Sequence, residues 1–180
     1  MSELVLKGGE VFDGSGAAGY LGDVVIENGH IADVAPSGAL TFSPEAQVVD
    51  VGGLTVSPGF VDMHTHSDFT LIADGRAESQ VHQGVTTEVI GQCGISCAPV
   101  VSHDAIKSVA PWHTNDAKHK NWHGFGEYLD VLDEIDLGVN VMAFVGHGTI
   151  HRAILGGELR AGEPEEVADM ARLVDQCMEE

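Results

Sequence analysis

Short apolar runs separated by glycine and turn residues fill the first 57 residues of the chain. Asn28-Gly29 is the clearest turn signal, because both central residues of a type I′ hairpin turn need a positive φ and this dipeptide tolerates it. The turn predicts a hairpin in which Ile26 lies opposite Ile31. Strands are predicted at 4–6, 11–12, 23–27, 30–34, 48–51 and 54–56. Residues 1–57 are therefore predicted to form a small antiparallel β-unit.

From residue 58 onward, apolar runs alternate with segments of helical periodicity. The apolar runs have the composition of strands buried in a parallel sheet. Pro164 suits the first position of the last helix. Strands are predicted at 59–64, 85–90 and 140–145, helices at 77–83, 125–135 and from 164 onward, and a long surface loop at 100–121. Strands that alternate with helices predict an α/β fold with a parallel sheet, open or closed into a barrel.

The composition narrows the range of partners. The chain has 28 acidic and 8 basic residues and a formal net charge of −20. This excess argues against nucleic acid, whose phosphates need a Lys/Arg footprint, and against anionic membrane surfaces. Three cysteines, an odd and sparse count, fit a reducing compartment. The pattern predicts neither a secretory signal nor a membrane-spanning helix, so we expect a cytoplasmic protein.

His64-Thr65-His66 is the sharpest chemical feature of the sequence. Residues i and i+2 of a strand face the same side, so the two imidazoles are expected about 7 Å apart on one face. At the carboxyl end of a barrel strand they would point into the mouth, where barrel enzymes place catalysis. Two neutral imidazoles can bind one divalent ion, although the same pattern also arises by chance in a chain rich in histidine.

Cys93 follows the second predicted strand of this region and is expected at the same rim as the two histidines. A thiolate is a good zinc ligand. A buried core cysteine is the alternative, because that is the usual position of a free cysteine. A Cys93–Cys97 metal clip is a weaker hypothesis, since no second cysteine pair exists. Cys177 lies on the apolar stripe of the last helix and is predicted to belong to the core.

His147 follows the third predicted strand and stands between two glycines. Its position suits either a contact with substrate or a structural hydrogen bond. The remaining histidines and tryptophans near the long loop have no ligand spacing. Most of them are predicted to lie at the surface: Trp112, His113, His119, Trp122 and His123.

The segment Val56-Ser57-Pro58-Gly59-Phe60-Val61-Asp62-Met63-His64-Thr65-His66 resembles the amidohydrolase superfamily. Further blocks at 83–96, 145–149 and 163–180 resemble its D-aminoacylase branch, the N-acyl-D-amino-acid deacylases. The resemblance implies a metal-dependent (β/α)8 (TIM) barrel preceded by a small β-sandwich unit. Residues 1–57 would supply strands of the sandwich, and residues 58–180 the first strands and helices of the barrel. We therefore expect the chain to be the N-terminal portion of a longer protein.

The resemblance also implies a reaction. His64, His66 and Cys93 would hold one or two zinc ions, and the acid–base Asp of the family would lie beyond residue 180. The ion would activate water and polarise the amide carbonyl of an N-acyl-D-amino acid, which gives a carboxylate and a free D-amino acid. One alternative is a cyclic-amide hydrolase of the hydantoinase or dihydropyrimidinase type, against which Cys93 argues. Another is an inactive fragment that only binds metal or has a structural role.

Overall fold

The computed structural model describes residues 3–100, 122–156 and 158–180. The chain divides into two compact units, Met1–Pro58 and Gly59–Glu180. The first unit contains five strands, which are β1 Glu3–Val11, β2 Tyr20–Glu27, β3 His30–Pro36, β4 Gln47–Asp50 and β5 Thr55–Val56. The second unit contains β6 Phe60–Asp62, α1 Thr70–Ala73, α2 Glu78–Val81, β7 Val85–Ile90, α3 Phe125–Asp133, β8 Asn140–Ala143, α4 His147–Leu155 and α5 Pro164–Glu179.

The five strands of the first unit form one sheet in the order β3-β2-β1-β4, with β5 also paired to β1. The β2–β3 hairpin confirms the turn prediction, since Asn28 and Gly29 have φ values of 51° and 79° and Ile26 pairs with Ile31. The prediction of a purely antiparallel unit is wrong, because β4 and β5 run parallel to β1. A hairpin has a local sequence signal, whereas a parallel return does not.

Strand β1 is continuous, although two separate pieces were predicted on either side of Gly8-Gly9. The glycines form an irregularity in its pairing with β2 between Leu6 and Gly9. The buried carboxylate of Asp23 accepts hydrogen bonds from the backbone N–H of Gly8 and of Gly38, each at 2.8 Å. Burial opposes the charge, but these backbone donors hold the pKa of Asp23 below its ordinary value. The irregular part of β1 is therefore tied to the sheet by one acidic side chain.

The second unit contains the predicted parallel sheet. Its order is β6-β7-β8, with both neighbours of β7 parallel to it. The helical segments at 78–81, 125–133 and 164–179 agree with the predicted helices to within a few residues. Helix α4 was not predicted, because His147–Leu155 contains glycine and β-branched residues of low helical propensity.

The core of the second unit packs the sheet against its helices. Ile90, Leu71, Tyr128, Ile150 and Trp122 are at most 1% exposed. Trp122 is therefore a core residue, and the prediction that it lies at the surface is wrong. Its indole N–H donates to the carbonyl oxygen of Cys97 at 2.8 Å, and its ring lies 5.4 Å from that of Tyr128. These contacts are tertiary, so the polar neighbours of Trp122 in the sequence gave no sign of them.

His123 is exposed, in agreement with its predicted surface position. Trp112, His113 and His119 lie outside the described residues, as do residues 101–121 of the loop predicted at 100–121. Within the described part of the chain, no helix has the combination of length and apolar character that a membrane span requires.

Several large apolar side chains of the second unit are in contact with solvent. Phe60 and Met63 are each 61% exposed, Met142 is 56% exposed and Phe144 is 51% exposed. They lie on β6 and β8 or directly after these strands. Within the described residues, β6 and β8 are also the edges of the sheet, each paired on one side only. The unpaired backbone groups of such an edge and the exposed apolar side chains beside it favour association with additional polypeptide strands.

We expect residues 1–180, when expressed alone, to aggregate or to fold loosely. The physical reason is the combination of unpaired strand edges and exposed apolar side chains on β6 and β8. Size-exclusion chromatography, near-UV circular dichroism and thermal unfolding would measure this directly. A monomeric product with a sharp cooperative transition would contradict the expectation.

Candidate metal centre

The two histidines and the cysteine lie at the carboxyl ends of neighbouring parallel strands. His64 and His66 follow β6, and Cys93 follows β7. Strand β6 ends at Asp62, so the histidines lie just beyond the strand and not within it as predicted. The Asp62 carboxylate accepts a hydrogen bond from the backbone N–H of His64 at 3.0 Å. The backbone N–H of Thr65 still donates to the carbonyl oxygen of Val89 at 3.3 Å, which keeps the segment beside β7.

The three side chains converge on one point. His64 Nε2 lies 3.0 Å from Cys93 Sγ, and the ring centroids of His64 and His66 are 5.5 Å apart. One potential ligand atom from each residue lies within 4.8 Å of the other two, and all three residues are exposed. Zinc bonds of about 2.0–2.3 Å place tetrahedral ligand atoms roughly 3.4 Å apart. The donor types and their spacing therefore fit a zinc-type ion after small side-chain adjustments.

Cys93 has a φ of 55°, in the left-handed region that non-glycine residues rarely adopt. Gly91 and Gly94 flank it with φ values of 80° and 76°. This tight turn reverses the chain directly after β7 and presents the thiol at the edge of the sheet. Backbone strain of this kind persists only where the surrounding structure enforces it.

Close backbone packing enforces the turn. A Cβ atom on Gly91 would lie 1.9 Å from the carbonyl oxygen of Phe144, and one on Gly146 would lie 2.5 Å from the carbonyl carbon of Gly94. These two positions must therefore be glycine if the segments after β7 and β8 are to touch. The turn that carries Cys93 therefore packs directly against the segment after β8.

A buried hydrogen-bond network joins the same two segments. The backbone N–H of Ser96 donates to Thr149 Oγ1 at 2.9 Å, and the Thr149 hydroxyl donates to the Ser96 carbonyl at 3.1 Å. The backbone N–H of Gly146 donates to Ser96 Oγ at 3.0 Å, and that of Thr149 donates to the Gly94 carbonyl at 3.1 Å. The roles of Ser96 and Thr149 were not predicted, because small hydroxyl side chains carry no distinctive sequence pattern.

His147 is the first residue of α4, whereas it was predicted at the end of a strand. Its side chain is exposed, and its ring centroid is 6.4 Å from that of His151. His147 is not a member of the three-residue ligand cluster. A contact between His147 and substrate stays a prediction.

The other two cysteines are in the interior. Cys97 is fully buried, and burial raises the pKa of its thiol well above the ordinary value. A thiol that resists ionisation is a poor metal ligand, and Cys97 is not part of the cluster around Cys93. The Cys93–Cys97 clip is therefore not formed. Cys177 is 6% exposed on α5, as its place on the apolar stripe predicted.

The residues after His66 are anchored in the core. Asp68 is 3% exposed, and its Oδ1 accepts a hydrogen bond from the backbone N–H of Gly91 at 2.9 Å. The Tyr128 hydroxyl donates to the Asp68 carbonyl at 3.0 Å. Burial raises the pKa of the Asp68 carboxyl, and the nearby charge of Glu88 acts in the same direction. The segments that carry the histidines and the cysteine are thus bonded to each other beneath the site.

We expect Thr149→Val to destabilise the protein. Valine has nearly the same shape but leaves the buried N–H of Ser96 without an acceptor, which costs about 1–3 kcal/mol. Thr149→Ser keeps the hydroxyl and is the matched control. Chemical denaturation of the intact gene product measures both variants, and equal stability of Thr149→Val and wild type would contradict the role given to this network.

Comparison with known proteins places these features in a family. The family model described as "Amidohydrolase family" matches residues 47–180. A D-aminoacylase from Alcaligenes xylosoxydans xylosoxydans is 36% identical over 177 residues, which are 98% of this chain and 35% of that protein. A solved D-aminoacylase structure, described with a binuclear metal centre, superposes with a TM-score of 0.85 at 33% identity over 98% of this chain and 36% of its own.

A second similar structure is that of another deacylase. The N-acyl-D-glutamate deacylase from Bordetella bronchiseptica was solved with zinc and a phosphonate that mimics the tetrahedral intermediate of its reaction. It matches with a TM-score of 0.81 at 27% identity, over 98% of this chain and 36% of that one. The chain thus spans about a third of the length of these relatives. The match of the family model over residues 47–180 shows that the chain belongs to the amidohydrolase family.

Proposed function

We propose that residues 1–180 form the N-terminal part of a zinc-dependent enzyme that hydrolyses N-acyl-D-amino acids. The observation that carries the proposal is the convergence of His64, His66 and Cys93 at one edge of a parallel sheet. The similarity to D-aminoacylase extends over 98% of the chain and supports the choice of substrate. The products would be a carboxylate and a free D-amino acid.

The proposed ligands are the imidazoles of His64 and His66 and the thiolate of Cys93. Nitrogen and sulfur donors of this kind favour zinc over magnesium or calcium, which prefer oxygen. When bound, the ion would supply Lewis acidity toward an amide carbonyl and a water molecule. One ion or two would suit this set, since a thiolate can bridge two ions. The zinc and binuclear centres of the similar structures support this assignment.

The remaining residues of the site have proposed roles in placing ligands and substrate. The exposure of the three ligands leaves them open to a small molecule. His147, at the first position of α4, is proposed to donate a hydrogen bond to the substrate. Gln92 Nε2 donates to the Met63 carbonyl at 2.8 Å, which holds the backbone directly before His64.

We also propose that the two units belong to a larger architecture. Residues 1–57 would be strands of a small β-sandwich, and residues 58–180 the first part of a (β/α)8 barrel. A complete barrel needs about 250 residues. The exposed apolar side chains along β6 and β8 are the surfaces that further barrel strands would cover. The acid–base carboxylate would come from that remainder, so we expect residues 1–180 alone to have no catalytic activity.

The free cysteines and the net charge support proposals for the protein's location and its partners. All three cysteines are free, which supports a reducing compartment, and we propose the cytoplasm. The partner would be a small N-acyl amino acid, with no nucleic acid or membrane surface involved, given the formal charge of −20.

We expect Cys93→Ala in the intact gene product to lower bound zinc and deacylase activity together, because the variant removes the proposed thiolate ligand. Cys97→Ala is the matched control, since Cys97 is a buried thiol away from the ligand cluster. Zinc content by metal analysis and turnover of an N-acetyl-D-amino acid measure the two effects. Equal zinc content in Cys93→Ala and wild type would remove Cys93 from the ligand set.

The intact gene product should release amino acid from N-acetyl-D-amino acids much faster than from the L-enantiomers. Named relatives include D-aminoacylase and two N-acyl-D-amino-acid deacylases. A site that contacts a substrate at three points distinguishes its two enantiomers. Chiral chromatography of the released amino acid measures the ratio. Rapid opening of hydantoin or dihydrouracil without any deacylation would favour the cyclic-amide hydrolase instead.

A further inference from the structure

Glu88 is a fully buried carboxylate in strand β7 that the proposed reaction does not use. Its side chain is 0% exposed, and its Oε2 accepts a hydrogen bond from the hydroxyl of Ser67, itself 4% exposed. Among residues 3–100, 122–156 and 158–180, Glu88 Oε1 has no hydrogen-bond partner. A buried carboxylate that is only half satisfied is unfavourable for folding. Stability therefore does not account for a glutamate at this position.

The hydrogen bond of Glu88 joins the two segments that carry the proposed metal ligands. Ser67 directly follows His66, and Glu88 lies five residues before Cys93. The Cα atoms of Glu88 and Asp62 are paired in the β6–β7 ladder, so Glu88 lies directly beneath the site. The Ser67 carbonyl also accepts the backbone N–H of Leu71 at 2.9 Å, which begins the turn into α1.

We propose that Glu88 is a positioning residue of the metal centre, where it holds Ser67 and thereby fixes His66 relative to Cys93. The inference rests on the proposed function, since it takes these side chains as metal ligands. Glu88 is not itself a ligand, because it is buried and lies outside the three-residue cluster. Partners that orient metal ligands typically change metal affinity by about 10–100-fold when they are removed.

Three substitutions separate positioning from simple packing. Glu88→Gln keeps an acceptor oxygen for the Ser67 hydroxyl at nearly the same volume. Glu88→Met keeps the length of the side chain but removes the acceptor. Ser67→Ala removes the donor. In the intact gene product, the zinc dissociation constant is measured by competition with a chelator, and the ligand geometry by the absorption spectrum of the cobalt(II)-substituted protein.

We expect Glu88→Met and Ser67→Ala to weaken zinc binding by about 10–100-fold, with an altered cobalt(II) spectrum. Glu88→Gln should bind zinc nearly as wild type does. The double variant Ser67→Ala with Glu88→Met should bind zinc no more weakly than Ser67→Ala alone, because Ser67→Ala already removes the bond to Glu88 and also the one that Ser67 Oγ accepts from the Thr65 hydroxyl at 3.3 Å.

Thermal unfolding without metal distinguishes positioning from a structural role. Glu88→Met replaces a half-satisfied buried carboxylate with an apolar side chain, so its midpoint should match or exceed that of wild type. Unchanged stability with weakened zinc binding is the signature of positioning. A residue with only a structural role would instead lower the midpoint and leave the zinc dissociation constant unchanged.

Each outcome decides the proposal. Zinc binding by folded Glu88→Met at wild-type strength overturns it, while a zinc-loaded, active wild type leaves the proposed function standing. If Glu88→Met does not fold, Ser67→Ala with wild-type zinc affinity overturns it equally. A wild-type protein that binds no zinc and still deacylates removes the metal assignment, and the positioning role with it.

Discussion

Strand β7 has a parallel hydrogen-bonded partner on each side, and the proposed metal ligands are placed by reference to it. Its pairing with β6 brings the two-histidine segment to its carboxyl end, and its pairing with β8 brings the N-terminus of α4 there. Cys93 lies three residues past its last residue, in a turn that has room only because Gly91 and Gly146 lack side chains. Parallel pairing thus brings together residues that are far apart in the sequence. His64 and Cys93 are separated by 29 residues, and Ser96 and Thr149 by 53.

The positions of the proposed metal ligands depend on the buried residues that pack beneath them. The proposed ligands are exposed. Ser67, Asp68 and Glu88 beside them are buried, and here the Asp68 carboxylate accepts the backbone N–H of Gly91 while the Ser67 hydroxyl donates to Glu88. The Ser96–Thr149 network closes the other side of the Cys93 turn. An exposed thiol and two exposed imidazoles therefore lie above buried, hydrogen-bonded residues, and support of this kind keeps metal-binding side chains in place.

Features with local sequence signals were predictable, and features set by tertiary contacts were not. The Asn28-Gly29 hairpin, the alternation of strands and helices and the convergence of His64 and Cys93 at one rim all follow from residue type and spacing. The parallel strands β4 and β5, the burial of Trp122 and the Ser96–Thr149 network depend on segments far apart in the chain. Glu88 had a signal, since it is the one charged residue in the β-branched run of β7, but its partner Ser67 is evident only in the structure.

Zinc K-edge X-ray absorption of the intact gene product decides whether Cys93 binds the ion, because it reports the atoms in the metal's coordination shell. We expect a sulfur scatterer at about 2.3 Å together with nitrogen or oxygen at about 2.0–2.1 Å. The sulfur signal should vanish in Cys93→Ser and persist in Cys97→Ala. A wild-type spectrum without sulfur, or a sulfur signal that survives in Cys93→Ser, would contradict the assignment of Cys93 and the histidines beside it as the metal centre.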